Sequence, residues 1–370
     1  MSKIKRLHFK DLNGLRFIAF VPVFLFICSA LLINKKSVIT VQVYELLKYI
    51  SINSFDFFFF LSSFLVTSLA LREYKYRKSF SLKMFYVRRI FRLIPLLFIS
   101  FIFAFYFHDK IISFLKLTKI EPNSMRYYLM GIPNFKASIL NERFAYTITI
   151  WVVFMFLQFY LVWGLILKYL KSKIIYVGFV FMALGLFIRL YYSYTGTPFY
   201  YNPLSYGVSI GIGGILAHLV RNKASFSERF KQLKKLQIRI IYIVGVLMTI
   251  ILYPVLSKNY LQAFVPFING LFFCFVIMEQ TFSKHSVIKL RKIKLLNRLG
   301  KITYGLLIYS SIVGTVLVIA FESVDKGIES PMYKLMFIVS TFIFSWVLAD
   351  ISYNSIEKLF MRIRRDFKKV

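Results

Sequence analysis

The sequence predicts an all-α fold: a polytopic membrane helix bundle of about ten transmembrane helices. Three observations carry that expectation. Mean hydropathy is +0.67, well above what a solvated or disordered chain shows. Apolar runs of about 17 to 21 residues recur along the chain, the length a helix needs to cross a hydrocarbon core of roughly 30 Å. The 49 Lys and Arg, set against 15 Asp and Glu for a formal net charge of +34, sit in short blocks between those runs. A nucleic-acid binder would spread such charge over a soluble surface, so that class is excluded.

The spans follow in order. A basic N-terminus precedes the first, 14–33. No small-residue cleavage site closes that run, so an uncleaved helix is expected rather than a signal peptide. The second, 52–71, is rich in Phe. The third, 93–107, is short at its start, where Arg88, Arg89 and Arg92 crowd the membrane surface. An outer segment, 108–147, separates it from the fourth, 148–167. A connection that long is more often functional than idle, and short helices are expected in it. Spans 174–192 and 204–220 come next, the latter with Gly207, Gly211, Gly213 and Gly214 at helical spacing. No strand precedes those glycines, so they predict close helix packing and not a nucleotide fingerprint. Spans 240–257, 260–278, 302–321 and 335–354 complete the set, and a single domain over 1–370 is expected.

Alternate loops test the assignment. The N-terminus, 72–92, 168–173, 221–239, 284–301 and the tail 355–370 hold 35 Lys and Arg. The segments 34–51, 108–147, 189–203, 258–259 and 322–334 hold 13, and Arg16 lies inside the first span. Basic loops stay cytoplasmic, so both termini are expected inside. Most of the charge then meets anionic inner-leaflet lipid. Cys28 and Cys274 both fall within spans, which supports neither a disulfide framework nor a metal cluster.

Several motifs are more specific than the layout. Gly14-Leu15-Arg16-Phe17-Ile18-Ala19 opens the first span, and Phe55-Asp56-Phe57-Phe58-Phe59-Phe60-Leu61-Ser62-Ser63-Phe64 lies in the second. Phe85-Tyr86-Val87-Arg88-Arg89-Ile90-Phe91-Arg92 leads to Pro95. Trp151, then Gln158-Phe159-Tyr160, and finally Leu299-Gly300-Lys301-Ile302-Thr303-Tyr304-Gly305 follow. In this order they resemble the acyltransferase-three family of integral membrane O-acyltransferases, over nearly the whole chain. The resemblance implies acyl, and most often acetyl, transfer from acyl-coenzyme A to a cell-envelope carbohydrate, in a bacterial plasma membrane. It implies no bound cofactor, no metal and no particular oligomeric state.

The departures are specific as well. Where the family carries a His after the first motif, this chain has Ile27; where it carries two Glu before Gln158, Phe156 and Leu157 stand. Ser310 replaces a second His, and Ser63 replaces a Gly. Acyl transfer to an alcohol needs a base in hydrogen-bond reach or a nucleophile that carries the acyl group. No catalytic residue is therefore assigned. His108, at the end of the third span, is the one outer candidate for a relocated base, and an interfacial polar residue is the commoner role for it.

The basic residues of the resemblance are kept. Arg16 lies within a span, where charge is costly without a partner. Arg89 and Arg92, three apart, share a helix face. Guanidinium groups suit bidentate phosphate recognition, so Arg16, Arg89 and Arg92 are the candidate donor-binding residues, against an ordinary role as topological anchors. Eleven residues, close to three turns, separate Arg16 from Ile27, so both face one side. Asp56 is an ionisable residue in an aromatic helix, either functional or a polar helix contact. Asp350 is expected to be the counter-ion of an inner Arg. Three functions stay open: an acyltransferase, an inactive relative that binds donor, lipid or a partner protein, and a transporter of a small envelope metabolite.

Overall fold

The computed structural model describes residues 12–32, 38–103, 125–135, 150–222, 224–256, 259–324 and 330–360. Ten long helices organise them: α1 Leu12–Leu31, α2 Val38–Arg77, α3 Leu82–Ile102, α4 Ile150–Tyr169, α5 Ile174–Thr195, α6 Gly207–Asn222, α7 Lys235–Leu256, α8 Val265–Phe282, α9 Thr303–Val324 and α10 Pro331–Ser352. No strand occurs among the described residues. In lipid a backbone must satisfy its own hydrogen bonds, and apolar runs of this length do so only as helices. Nine helices among the described residues are long and apolar enough to cross a membrane. The chain is a multi-pass membrane protein.

Several boundaries differ from expectation, three of them in ways that bear on the layout. The third span, expected at 93–107, is helical from Leu82, and the arginines lie inside the helix rather than before it. That polar first half is why α3 is not among the nine. The outer loop expected at 34–51 is helical from Val38, which makes α2 a helix of 40 residues. The fifth span runs to Thr195 and ends on Gly196, whose φ of 67° is the left-handed cap that terminates helices. Within the expected outer segment, Met125–Leu129 is a short helix. Residues 104–124, with His108, and 136–149 lie outside the described residues.

Small residues set the central packing, as their spacing predicts. A Cβ on Gly213 would stand 2.4 Å from the Phe60 carbonyl of α2. One on Gly211 would stand 2.3 Å from the Gly178 carbonyl of α5. Helix α6 therefore lies against both neighbours at backbone distance. Around this contact the Phe residues form the core: Phe59 stacks between Phe156 and Tyr206, with ring centroids 4.5 and 4.6 Å away. The buried Trp163 donates its indole N–H to Thr67 Oγ1 at 2.8 Å, tying α4 to α2. The outward faces of α5, α7 and α10 are apolar and exposed, as lipid-facing helices are.

The hairpin from α2 to α3 positions the arginines. Lys78 takes φ 60° just after α2, a left-handed stop. Ser81 then caps α3, accepting from the Met84 N–H at 3.3 Å. Glu73 near the end of α2 accepts from the Ser81 N–H and from Arg88 Nη2, at 3.3 and 3.1 Å. Helix α3 is thus turned back along the bundle with Arg89 and Arg92 facing inward.

Candidate functional site

Arg16 on α1 and Arg89 and Arg92 on α3 come together around one narrow cavity. Arg16 is placed from below. Its Nη1 donates to Asn13 Oδ1 at 3.1 Å, and the backbone of Asn13 lies against Gly300 of the short helix Lys294–Lys301. A Cβ on Gly300 would be 1.8 Å from the Asn13 carbonyl oxygen, so only glycine permits that contact. Arg89 stands over the ring of Tyr160, 5.2 Å from its centroid, and Arg92 over Tyr304 at 4.8 Å. Both are cation–π distances.

No carboxylate lies within ion-pair distance of these three guanidinium groups among the described residues. Glu357, in the π-helical turn that follows α10, is within electrostatic range of Arg92 without forming a pair. The Nε of Arg89 is buried with no hydrogen-bond partner. Three like charges with an unsatisfied buried donor leave a demand for acceptors, because a buried cation is stabilised only by a partner that supplies them.

The cavity runs along the bundle rather than across it. On α4 its lining residues are Val152, Phe156 and Tyr160, spanning about 12 Å of helical rise. Its volume is about 40 Å³, roughly the share of one water molecule. Phe156 stands halfway along and is fixed by its stacking on Phe59. On α1 the lining continues from Arg16 to Phe20. Ile27, which the helical spacing places on the same side, is fully buried and does not line the cavity.

The other departures from the motif are also packed. Ser310 donates to the Leu307 carbonyl of its own helix at 3.1 Å, and Ser63 donates to the Ile210 carbonyl at 2.7 Å. Cys28 is buried. Among the described residues no group of three His, Cys, Asp or Glu is placed to hold a metal.

Asp56 and Asp350 stand apart from the arginine cavity. Asp350 accepts two hydrogen bonds from Arg298, at 3.1 and 2.7 Å. This is a bidentate pair at the basic end, and it raises the Arg298 pKa. Both oxygens of Asp56 accept from one guanidinium nitrogen: Arg189 Nη2 lies 2.8 Å from Oδ1 and 2.9 Å from Oδ2. Ser209 donates to the same carboxylate at 2.7 Å. Arg189 also donates to the Ser205 carbonyl at 2.7 Å and to the Tyr253 hydroxyl. Both charged side chains are fully buried, and the pair joins α2, α5, α6 and α7.

Arg189 is the residue that the sequence reading missed. The expected loop 189–203 includes it, but it lies inside α5. The available signal was an Arg within an apolar helix and an Asp within another, each costly alone. Tyr160 and Tyr304 carry no distinguishing signal in the sequence, because aromatic residues in apolar helices usually fill a core.

Comparison with known proteins gives two matches. A family model described as an acyltransferase domain matches residues 9–350. An uncharacterized protein of Haemophilus influenzae is 29% identical over an alignment of 240 positions that covers 59% of this chain and 93% of that one. No solved structure matches.

Proposed function

The chain belongs to the acyltransferase-three family of membrane proteins, and from that premise we propose that it takes an acyl-coenzyme A donor at the basic end of the bundle for transfer to a cell-envelope carbohydrate. The observation that supports donor binding is the arginine cavity. Arg16, Arg89 and Arg92 converge with no carboxylate paired to them among the described residues, and a buried N–H of Arg89 is left open. Phosphate oxygens would supply the missing acceptors, in the bidentate geometry guanidinium prefers. The positive-inside rule assigns this end to the cytoplasm of a bacterial plasma membrane, where such a donor is available. The cavity is small, so admitting a phosphate requires the long Arg side chains to swing outward.

A second reading is favoured by a different observation. Ile27 and Phe156 are apolar and packed, and Ser310 bonds to its own helix. At the matched positions nothing can take a proton from an alcohol, and loss of a general base typically forfeits about 10²–10⁴ in rate. On this reading the protein holds the donor without transferring its acyl group.

Purified protein in nanodiscs with labelled acetyl-coenzyme A separates the two. Binding that is lost in Arg16→Ala, together with turnover onto a glycan acceptor, supports the enzyme. The same binding without turnover on any acceptor supports the non-catalytic reading. Absence of both would sink donor recognition and leave the arginines as topological anchors.

A further inference from the structure

Helix α1 separates two cavities. Arg16 and Phe20 face the arginine cavity, while Leu15, Ile18, Ala19 and Pro22 face a second one, enclosed with α2, α7 and α8. This second cavity has a volume of about 640 Å³, within the range of roughly 300–1,000 Å³ typical of small-molecule sites. Its walls are almost wholly apolar, with Phe57, Ile243, Val246 and Phe273 among them.

Its ends differ. The deep end is closed by polar pins between helices: Asn53 Nδ2 donates to the Thr249 carbonyl at 2.5 Å, and Asn269 donates to Asn53 Oδ1 at 2.6 Å. The other end reaches Arg239, Tyr242 and Gln280 at the basic end of the bundle. Arg239 is exposed and has no carboxylate partner among the described residues. The nearby Glu279 carboxylate is engaged by Tyr242, Gln280 and Ser286. Helix α7, the outer wall, meets α8 where Phe272 packs on Gly245, and the groove stays open beside that contact.

The dimensions identify an occupant. From Arg239 to Thr249 is ten residues, about 15 Å of helical rise, which is half of a hydrocarbon core of roughly 30 Å. The groove is therefore one leaflet deep. At roughly 30 Å³ per water-sized group it takes about twenty such groups, enough for one long fatty acyl chain and its ester. A guanidinium at the headgroup level calls for a phosphate.

We propose that this groove is a specific site for one anionic glycerophospholipid of the leaflet at the basic end, with an acyl chain between α1, α2, α7 and α8 and its phosphate on Arg239. Charge complementarity distinguishes this occupant from a neutral lipid, and concavity distinguishes it from lipid that merely coats the outer faces. The site is independent of donor binding in the arginine cavity.

Native mass spectrometry of delipidated protein titrated with phosphatidylglycerol or phosphatidylcholine tests the proposal. One phosphatidylglycerol is expected to be retained at least tenfold more strongly than phosphatidylcholine. Val246→Trp, which fills the groove, should lower retention about tenfold. Arg239→Gln should abolish the preference between the two lipids, and Leu161→Trp, on the exposed face of α4, should change neither. Ile243→Trp, one turn closer to Arg239, replaces the groove-filling variant if Val246→Trp does not fold. Retention unaffected by the groove-filling variant, equal retention of both lipids by the unaltered protein, or a preference that survives Arg239→Gln would overturn the assignment.

Discussion

Replacing Asp56 with Asn tests the fully buried ion pair with Arg189. The substitution keeps shape and one acceptor but removes the charge that neutralises Arg189. Both groups are fully buried, and two contacts of 2.8 and 2.9 Å run from a single Nη2 to the two carboxylate oxygens. Breaking a buried pair from one side typically costs about 3–5 kcal/mol, because the remaining charge is left uncompensated. Arg189 would retain the Ser205 carbonyl and the Tyr253 hydroxyl, which places the expectation at the lower end, about 3 kcal/mol. That is roughly a hundredfold in the folded-to-unfolded ratio. Neutral polar contacts in membrane proteins average only about 0.6 kcal/mol, so the two cases are well separated. The assay is denaturant or thermal unfolding in detergent, followed by tryptophan fluorescence, for Asp56→Asn, Arg189→Gln and the double variant. The double variant should lose about 2–3 kcal/mol less than the sum of the singles. A loss below about 1 kcal/mol in Asp56→Asn, or strict additivity, would refute the account of the pair.

Three further outcomes follow from the arginine cavity. Arg89→Ala should weaken coenzyme A binding about 10- to 100-fold by calorimetry, since a hydrogen bond to a charged group is worth about 1.5–3 kcal/mol. Its elution profile on size exclusion should match that of the unaltered protein. Phe156→Glu would set a carboxylate among the three arginines and compete with any anion; coenzyme A affinity should fall at least tenfold, and an unchanged affinity would show that this cavity is not the site. Gly300→Ala brings a Cβ to 1.8 Å from the Asn13 carbonyl, so the start of α1 must move. About 1–3 kcal/mol of stability should be lost on unfolding, and anion binding should weaken with the displacement of Arg16.

The spans were legible because lipid imposes one rule on every crossing segment, and apolar length alone reveals it. Outside the hydrocarbon that rule lapses. The start of α2 mixes Val38, Ile39 and Val43 with Glu45 and Lys48, which form an ion pair of their own, so its helicity left no hydropathy signal. The arginines were legible from their motif positions, and their spacing placed Arg89 and Arg92 on one face. What they stand against was not, because Tyr160 and Tyr304 lie on α4 and α9 and look like core. Arg189 was lost to a boundary error of a few residues. Its partner is 133 positions away, and no local pattern links the two. The extent of the apolar groove depends on how far α7 stands from α1, a tertiary distance that hydropathy does not encode.

The length of α2 has a mechanical consequence. Its 40 residues make a rod of about 60 Å, twice the hydrocarbon thickness, so a rigid tilt about its close contact with α6 would move both ends. A tilt of only about 5° about the middle displaces each end by roughly 2.6 Å in opposite directions, from the helical rise alone. At one end are Glu45 and Lys48. At the other, Glu73 grips Arg88 and the cap of α3, one residue before Arg89. A tilt imposed at the far end of α2 would therefore reach the arginine cavity through one continuous helix and the Glu73 contacts to α3.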